Sequence, residues 1–191
     1  MKKIGVGIIG SGSIADIGHC PSVRALPNAE LVALCDTNAS FLESMAKKWE
    51  PKRTYSDYHD LIADKEVQVV IVATPNRVHA QQAIDAMRAK KHVIVEKPFA
   101  CTHDEAWTMV NVCKKEGVFL MAGTNQRFWE QNRIARQLID DGYIGKPMMG
   151  RSSLHEGWGL YHEQLSFTKF RGTPSEAGAG ALFDLGAHRA D

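Results

Sequence analysis

Short apolar runs alternate with helical patterns along the first two thirds of the chain. The runs are rich in β-branched residues and nearly unbroken, which is typical of parallel strands covered on both faces. They lie at residues 4–9, 30–36, 53–55, 67–73, 92–95 and 118–122. Capping residues, amphipathic spacing and Gly or Pro stops predict helices at 13–25, 39–49, 57–63, 78–89 and 102–116. This alternation predicts an α/β fold with a doubly wound parallel Rossmann sheet.

The pattern changes after Gly123, which predicts a domain boundary there. We expect a dinucleotide-binding domain at 1–123 and the first part of a second domain at 124–191. In the second part, an amphipathic helix is predicted at 131–140 and one strand at 148–155, whereas 156–175 shows little periodicity. A last helical segment is expected within 181–191.

A glycine pattern follows the first apolar run directly. In Gly10-x-Gly12-x-x-Ala15, Gly10 permits a tight turn and Gly12 lets a pyrophosphate approach the backbone. Ala15 is small enough for the helix to pack closely on the strand. We expect Gly10, Gly12, Ser13 and Ile14 to bind the cofactor phosphates, because the N–H groups of a helix start attract anions. Glycine-rich turns that bind nothing are common, so this motif alone leaves both interpretations open.

Asp36 supports the binding interpretation. It ends the second apolar run about 20 residues after the glycine loop, where a carboxylate meets the ribose 2′-OH of a dinucleotide. Its charge would repel a 2′-phosphate, and Thr37 and Asn38 follow it where an Arg could have neutralised that group. The pattern therefore favours NAD over NADP. A surface Asp that happens to follow a strand is the alternative.

Two further places carry candidate chemistry. Lys97 follows a buried strand on the ligand edge of the sheet, where a cation can stabilise an alkoxide; a surface lysine is the alternative. Asp184 and His188 are four residues apart and share one face of a helix, an arrangement that suits a general base. Without further context, a surface ion pair or a core histidine is the favoured explanation. We expect no metal site, because no further Cys or His falls at ligand spacing.

Composition argues against nucleic-acid and membrane partners and favours a cytoplasmic location. The net charge is +1 and the Lys and Arg residues are dispersed, so the sequence shows no basic patch of the kind that binds nucleic acid. The longest uninterrupted apolar stretch, 69–73, is too short to cross a membrane. The four cysteines show no CxxC spacing and lie in apolar contexts, so we expect the reduced core thiols of a cytoplasmic protein.

Several motifs in this order resemble one known family, the glucose–fructose oxidoreductase, inositol dehydrogenase and rhizopine-catabolism (Gfo/Idh/MocA) oxidoreductases. The resemblance runs the whole length of the chain. It rests on the glycine loop, Asp36, Ala73-Thr74-Pro75-Asn76 with His79, Lys91 through Pro98, Asn125-Gln126-Arg127-Phe128, Ile144-Gly145-Lys146 and Gly178 through His188. The usual triple glycine reads Gly178-Ala179-Gly180 here.

The resemblance implies an NAD-dependent dehydrogenase that moves a hydride between the cofactor and a hydroxyl-bearing carbon of a sugar, inositol or related polyol. It implies that Lys97 contacts substrate and nicotinamide ribose, that Asp184 holds a substrate hydroxyl and that His188 takes the hydroxyl proton. It also implies a set of cofactor-lining residues, namely Thr74, Pro75, Asn76, His79, Glu96, Asn125 and Arg127.

Members of this family carry a second α+β domain with a wide, mostly antiparallel sheet, most of which would follow residue 191. We therefore expect that this polypeptide is a truncated form of a longer protein, or else that another copy or a partner covers the exposed strand edges. The resemblance also implies a homo-oligomer. A non-catalytic module that keeps the cofactor fold for binding or regulation is the alternative function.

Overall fold

The computed structural model describes residues 3–153 and 185–190. The chain divides into two compact units, Met1–Gly123 and Thr124–Asp191. The first unit contains a six-stranded sheet in the order β3-β2-β1-β4-β5-β6, and all neighbouring strands are parallel. The strands are β1 (Ile4–Ile9), β2 (Ala29–Cys35), β3 (Arg53–Tyr55), β4 (Val69–Val72), β5 (His92–Val95) and β6 (Leu120–Ala122).

Helices connect these strands and cover both faces of the sheet. They are α1 (Cys20–Ala25), α2 (Ala39–Trp49), α3 (Tyr58–Ala63), α4 (His79–Arg88) and α5 (His103–Glu116), and short 3₁₀ turns occur at Asn76–Val78 and Asn125–Phe128. One core cluster joins the sheet to α1 and α2, and the other joins it to α3, α4 and α5. This arrangement confirms the predicted doubly wound α/β fold.

Local signals in the sequence explain where several helices begin and end. The Asn38 side chain accepts hydrogen bonds from two backbone N–H groups at the start of α2, and the Asp57 side chain accepts one at the start of α3. Thr102 and Glu105 form a capping box at the start of α5. Gly117 ends α5 in the left-handed conformation, at φ +67°.

The start of the first helix differs from the prediction. Residues Ala15–His19 form a π-helical turn before α1, so the backbone N–H of Cys20 bonds to the carbonyl of Ala15, five residues earlier. A π turn inserts one extra residue into a helix and is often found at functional sites. Apolar periodicity does not reveal such an insertion, because the residues on either side keep their helical pattern.

The second unit contains α6 (Glu130–Asp140) and a short helix, α7 (Ala187–Ala190). The strand predicted at 148–155 is not formed over residues 148–153, and residues 154 and 155 lie outside the described part. A strand needs a neighbour to accept its backbone hydrogen bonds, and the described residues of this unit provide none. Within the described residues, no helix is both long enough and apolar enough to span a membrane.

Candidate active site

The candidate residues of the first unit lie in loops at one edge of the sheet. Because all six strands are parallel, their carboxyl ends share this edge. The chain reverses its direction of winding between the central strands β1 and β4, and ligands bind in the crevice at such a point. The loops after β1, β2, β4 and β5 therefore form the candidate site, and these loops carry Gly10, Asp36, Thr74 and Lys97.

The glycine loop is shaped by its contact with the end of β4. Gly10 has φ +100°, and a Cβ built there would lie 2.5 Å from the carbonyl oxygen of Ala73. Its backbone N–H donates to Cys35 O at 2.8 Å, which ties the loop to β2. Only glycine meets both the backbone conformation and the close approach.

Gly12, unlike Gly10, is not restricted to glycine by its own surroundings. A Cβ built at Gly12 would meet no atom of the described structure within 4 Å. The space in front of Gly12 is therefore open, as it must be if a phosphate is to approach the backbone.

Asp36 is bonded directly to the glycine loop. Its Oδ2 accepts a hydrogen bond from Ser11 N at 2.6 Å, and its Oδ1 accepts one from Asn38 N at 2.8 Å. A carboxylate has about four acceptor sites, so both oxygens retain capacity for ribose hydroxyls. The same side chain thus holds the loop and presents acceptors to the crevice.

The residues of this loop fit a dinucleotide. Ser11 is 5% exposed, and its Oγ has no hydrogen-bond partner within residues 3–153 and 185–190. Ser13 and Ile14 begin the helical turns, where backbone N–H groups lack intrahelical acceptors. An unsatisfied hydroxyl, open space at Gly12 and these N–H groups together match the needs of a pyrophosphate.

His79 joins the loops that follow β4 and β5. Its Nε2 lies 2.7 Å from Thr74 O and its Nδ1 lies 2.9 Å from Pro98 O, and the residue is only 1% exposed. A neutral imidazole donates to one of these carbonyls and the imidazolium to both. Burial lowers the pKa of His79 and outweighs the two carbonyl contacts, which act in the opposite direction.

The neighbouring predicted residues support the same loop. Thr74 Oγ1 donates to Gln82 Oε1 at 2.6 Å, which ties the loop to α4. Pro75 precedes the 3₁₀ turn, and Asn76 is buried at its start. Both ring nitrogens of His79 thus contact backbone carbonyls, and the role of His79 as a cofactor contact stays a prediction.

Glu96 and Lys97 follow β5 directly. Glu96 Oε2 accepts a hydrogen bond from Lys97 N at 3.0 Å, and the Lys97–Pro98 peptide is cis. Glu96 Oε1 lies 3.0 Å from Nε2 of His19, a residue of the π turn. Burial alone would raise the pKa of Glu96, but the His19 hydrogen bond and charge, with the backbone N–H and charge of Lys97, hold this pKa below its ordinary value.

Sequence reasoning did not select His19 or Ser11. The partner of His19 is 77 positions away in the chain, and no local spacing connects the two residues. Ser11 is the variable position of the glycine motif, so the motif itself does not distinguish it. A histidine on the helix that follows the glycine loop was the only available signal.

The remaining predicted residues belong to the second unit. Asn125 and Arg127 lie in the 3₁₀ turn Asn125–Phe128, and His188 is a partly buried residue of α7. Asp184 lies outside the described residues. The structure therefore brings together the candidates of the first unit, and the roles of all the candidates stay predictions.

Comparison with known proteins identifies the family. Residues 4–124 match the family described as "Oxidoreductase family, NAD-binding Rossmann fold" (GFO_IDH_MocA), and residues 132–191 match the GFO/IDH/MocA C-terminal domain. The chain belongs to the GFO/IDH/MocA oxidoreductase family, and its first part is an NAD-binding Rossmann fold. The predicted resemblance and the predicted NAD cofactor are confirmed.

Relatives include enzymes with established names. A myo-inositol 2-dehydrogenase of Thermotoga maritima is 33% identical over 142 residues, covering 74% of this chain and 42% of that protein. A levoglucosan dehydrogenase of Pseudarthrobacter phenanthrenivorans is 30% identical over 199 residues, covering 100% of this chain and 50% of that protein.

A solved structure of levoglucosan dehydrogenase with NADH and levoglucosan matches with a TM-score of 0.90 at 29% identity, covering 98% of this chain and 52% of that one. The chain spans about half the length of the curated relatives that it matches.

Proposed function

We propose that the protein is an NAD-dependent dehydrogenase of a sugar, inositol or related polyol. The observation that carries the proposal is the position of Lys97, whose backbone N–H donates to Glu96 at the sheet edge that also holds the glycine loop and Asp36. A cation at this edge can meet a substrate hydroxyl beside a bound dinucleotide.

The contacts in the first unit support the proposed cofactor-binding part of the site. The glycine loop offers backbone N–H groups and the Ser11 hydroxyl to the pyrophosphate, and Asp36 offers acceptors to the ribose hydroxyls. Thr74, Pro75, Asn76, His79, Glu96, Asn125 and Arg127 are proposed as the further lining. When bound, NAD supplies the acceptor for the hydride that leaves the substrate carbon.

Oxidation of the substrate hydroxyl also requires a base that accepts its proton. As the carbon loses a hydride and its bond to oxygen becomes a carbonyl, the hydroxyl proton passes to a base. We propose His188 as that base, because a histidine can change its charge near neutral pH, and Asp184 as the residue that holds a substrate hydroxyl. Lys97 stabilises negative charge on the oxygen while the proton leaves.

Substrate choice is proposed from the relatives. Two of them are named as dehydrogenases of myo-inositol and of levoglucosan, an anhydrosugar. A panel for this protein therefore begins with inositols, anhydrosugars and simple aldoses. Reduction of NAD is measured at 340 nm with the full natural polypeptide and each compound.

Two variants test the assignment. Lys97→Met keeps the length of the side chain but removes its charge, and His188→Asn removes the base. We expect each to lower kcat at least about a hundredfold, as the loss of a general acid–base or of an electrostatic contact does. The affinity for NAD, measured by calorimetry, should change much less.

Turnover of no compound on the panel, with tight NAD binding, would instead favour the non-catalytic binding or regulatory module. Full activity of Lys97→Met would contradict the proposed role of the lysine.

We also propose a cytoplasmic location and a homo-oligomeric assembly. All four cysteines are free thiols, and burial raises the pKa of Cys20 to about 11 and that of Cys35 to about 12, which makes them unreactive. Fractionation of cells tests the location, and sedimentation of the full natural polypeptide tests the assembly.

A further inference from the structure

The His19–Glu96 contact links two parts of the candidate site that are distant in sequence. His19 lies in the turn that follows the glycine loop, and Glu96 immediately precedes Lys97. The two side chains are 18% and 14% exposed, so the contact is mostly shielded from water. A shielded hydrogen bond to a charged group contributes more than one on the surface.

The protonation of the pair follows from its chemistry. The pKa of Glu96 is held below its ordinary value, so Glu96 is a carboxylate and can only accept hydrogen bonds. Nε2 of His19 therefore carries a proton and donates to Oε1. Oε2 accepts from Lys97 N, so both oxygens of one carboxylate are engaged, one by the helix and one by the lysine backbone.

A third element fixes the position of Glu96. A Cβ built at Gly123, just after β6, would lie 3.1 Å from the Cα of Glu96 and 3.4 Å from its Cδ. Gly123 N also donates to Val95 O at 2.6 Å. A glycine at position 123 therefore lets the end of β6 lie close to Glu96, which also contacts His19 on the π turn.

We propose that His19 is a positioning residue, which acts through Glu96 to hold Lys97 at a set distance from the phosphate-binding helix. The inference rests on the proposed function. A dinucleotide that spans the crevice has its pyrophosphate at the helix start and its reactive ring near the lysine. A rigid link between these two points preorganises the site to the length of the cofactor. Less conformational entropy is then lost when the cofactor binds and its reactive ring is aligned.

Two amide variants test the link. In His19→Gln the side-chain nitrogen reaches the place of Nε2, whereas in His19→Asn it falls short, although both substitutes are polar and uncharged. We expect NAD affinity, measured by calorimetry on the full natural polypeptide, to fall about tenfold in His19→Asn and less than about threefold in His19→Gln. His103→Asn is the matched control, because His103 is an exposed residue of α5. Thermal melting of each variant reports whether it is folded.

A double-mutant cycle tests whether His19 acts through Glu96. Glu96→Gln breaks the charged link by itself, so His19→Asn should add little to the loss of NAD affinity that Glu96→Gln causes. A purely structural role of His19 would give additive losses.

The pH dependence of NAD affinity provides a second readout. The titratable groups that face Glu96 are His19 from the π turn, Lys97 from its own loop and His79 from α4. Loss of His19 raises the pKa of Glu96, so Glu96 loses its charge at a higher pH. The fall of NAD affinity at acid pH should therefore begin at a higher pH in His19→Asn than in wild type, with a smaller change in His19→Gln.

The outcomes separate the inference from the proposed function. Equal NAD affinity in wild type, His19→Asn and His19→Gln would overturn the link, as would equal losses in both folded variants or additive losses in the cycle. Absence of turnover in the wild type would contradict the dehydrogenase while the NAD affinities still decide the role of His19.

Discussion

The carboxylate of Asp36 accepts a hydrogen bond from the backbone N–H of Ser11 at 2.6 Å. The residue that is expected to select the cofactor therefore also holds the glycine loop that binds it. The predicted selectivity and the shape of the loop thus involve one side chain, and substitution there should affect both.

Asp36→Asn tests this dual role. The substitute has one amide oxygen, so its NH₂ group must face either Ser11 N–H or Asn38 N–H, and one of the two loop bonds is lost. The negative charge that repels a 2′-phosphate is lost as well. We expect NAD to bind about tenfold more weakly and the preference for NAD over NADP to shrink about tenfold, as measured by calorimetry. Asp104→Asn, at a fully exposed position of α5, is the control, and an unchanged NAD/NADP ratio would contradict the assignment of Asp36.

Substitution by alanine should destabilise the protein at Gly10 but leave its stability nearly unchanged at Gly12. Gly10→Ala places a Cβ 2.5 Å from Ala73 O at a φ of +100°, so we expect a loss of at least about 2 kcal/mol in the free energy of unfolding. Gly12→Ala meets no atom within 4 Å in the described structure and should stay within about 0.5 kcal/mol of wild type.

NAD binding of Gly12→Ala distinguishes a functional from a structural glycine. The new Cβ occupies the space through which the pyrophosphate must approach, so we expect at least a tenfold weaker affinity in a protein of normal stability. Urea unfolding and calorimetry measure the two quantities. Normal NAD affinity of Gly12→Ala would show that the phosphates bind elsewhere.

His79→Leu should destabilise the first unit. At pH 7.5 the buried imidazole is neutral and donates to one of the two carbonyls Thr74 O and Pro98 O. The substitution leaves that carbonyl without its donor, which costs about 1–3 kcal/mol in the free energy of unfolding. His79→Gln, which retains an N–H donor, should lose less stability than His79→Leu. Equal stability of wild type and His79→Leu in urea would show that water replaces the imidazole.

The stability that His79 contributes should also depend on pH. Burial lowers its pKa in the folded protein below the ordinary histidine value of 6.5. Between these two pKa values the unfolded chain binds more protons than the folded one, so stability rises with pH. The contribution is therefore complete above about pH 6.5 and is lost as the pH falls through the folded pKa. The slope of unfolding free energy between pH 7.5 and 5.5 should be smaller in His79→Gln than in wild type.

Thr102→Ala should weaken the far end of the loop that carries Lys97. Thr102 Oγ1 accepts from Glu105 N, and Glu105 Oε2 accepts from the backbone N–H groups of Cys101 and Thr102. Loss of this cap should lower the free energy of unfolding by about 1 kcal/mol. Thr108→Ala is the control, because its hydroxyl only bonds to a carbonyl of its own helix, and an equal loss there would contradict the special role of the cap.

The sequence by itself determined the features that depend on neighbours in the chain. Asn38 at the start of α2, Thr102 at the start of α5 and Gly117 at its end act within one helical turn, so their residue types predict the helix limits. The run His92-Val93-Ile94-Val95 likewise predicts a strand, and β5 has these limits. The glycine spacing and Asp36 indicated NAD because the motif is contained in one βαβ unit.

Only the tertiary structure decided which distant groups meet. His19 and Glu96 lie 77 positions apart, and only the fold brings the π turn and the residue after β5 within hydrogen-bond distance. His79 has the same spacing from Pro75 whether it faces the crevice or the core, and its burial between two loops settled that it bonds to backbone carbonyls. A local pattern records the propensity of a segment, whereas burial and long-range hydrogen bonds depend on the segments that pack beside it.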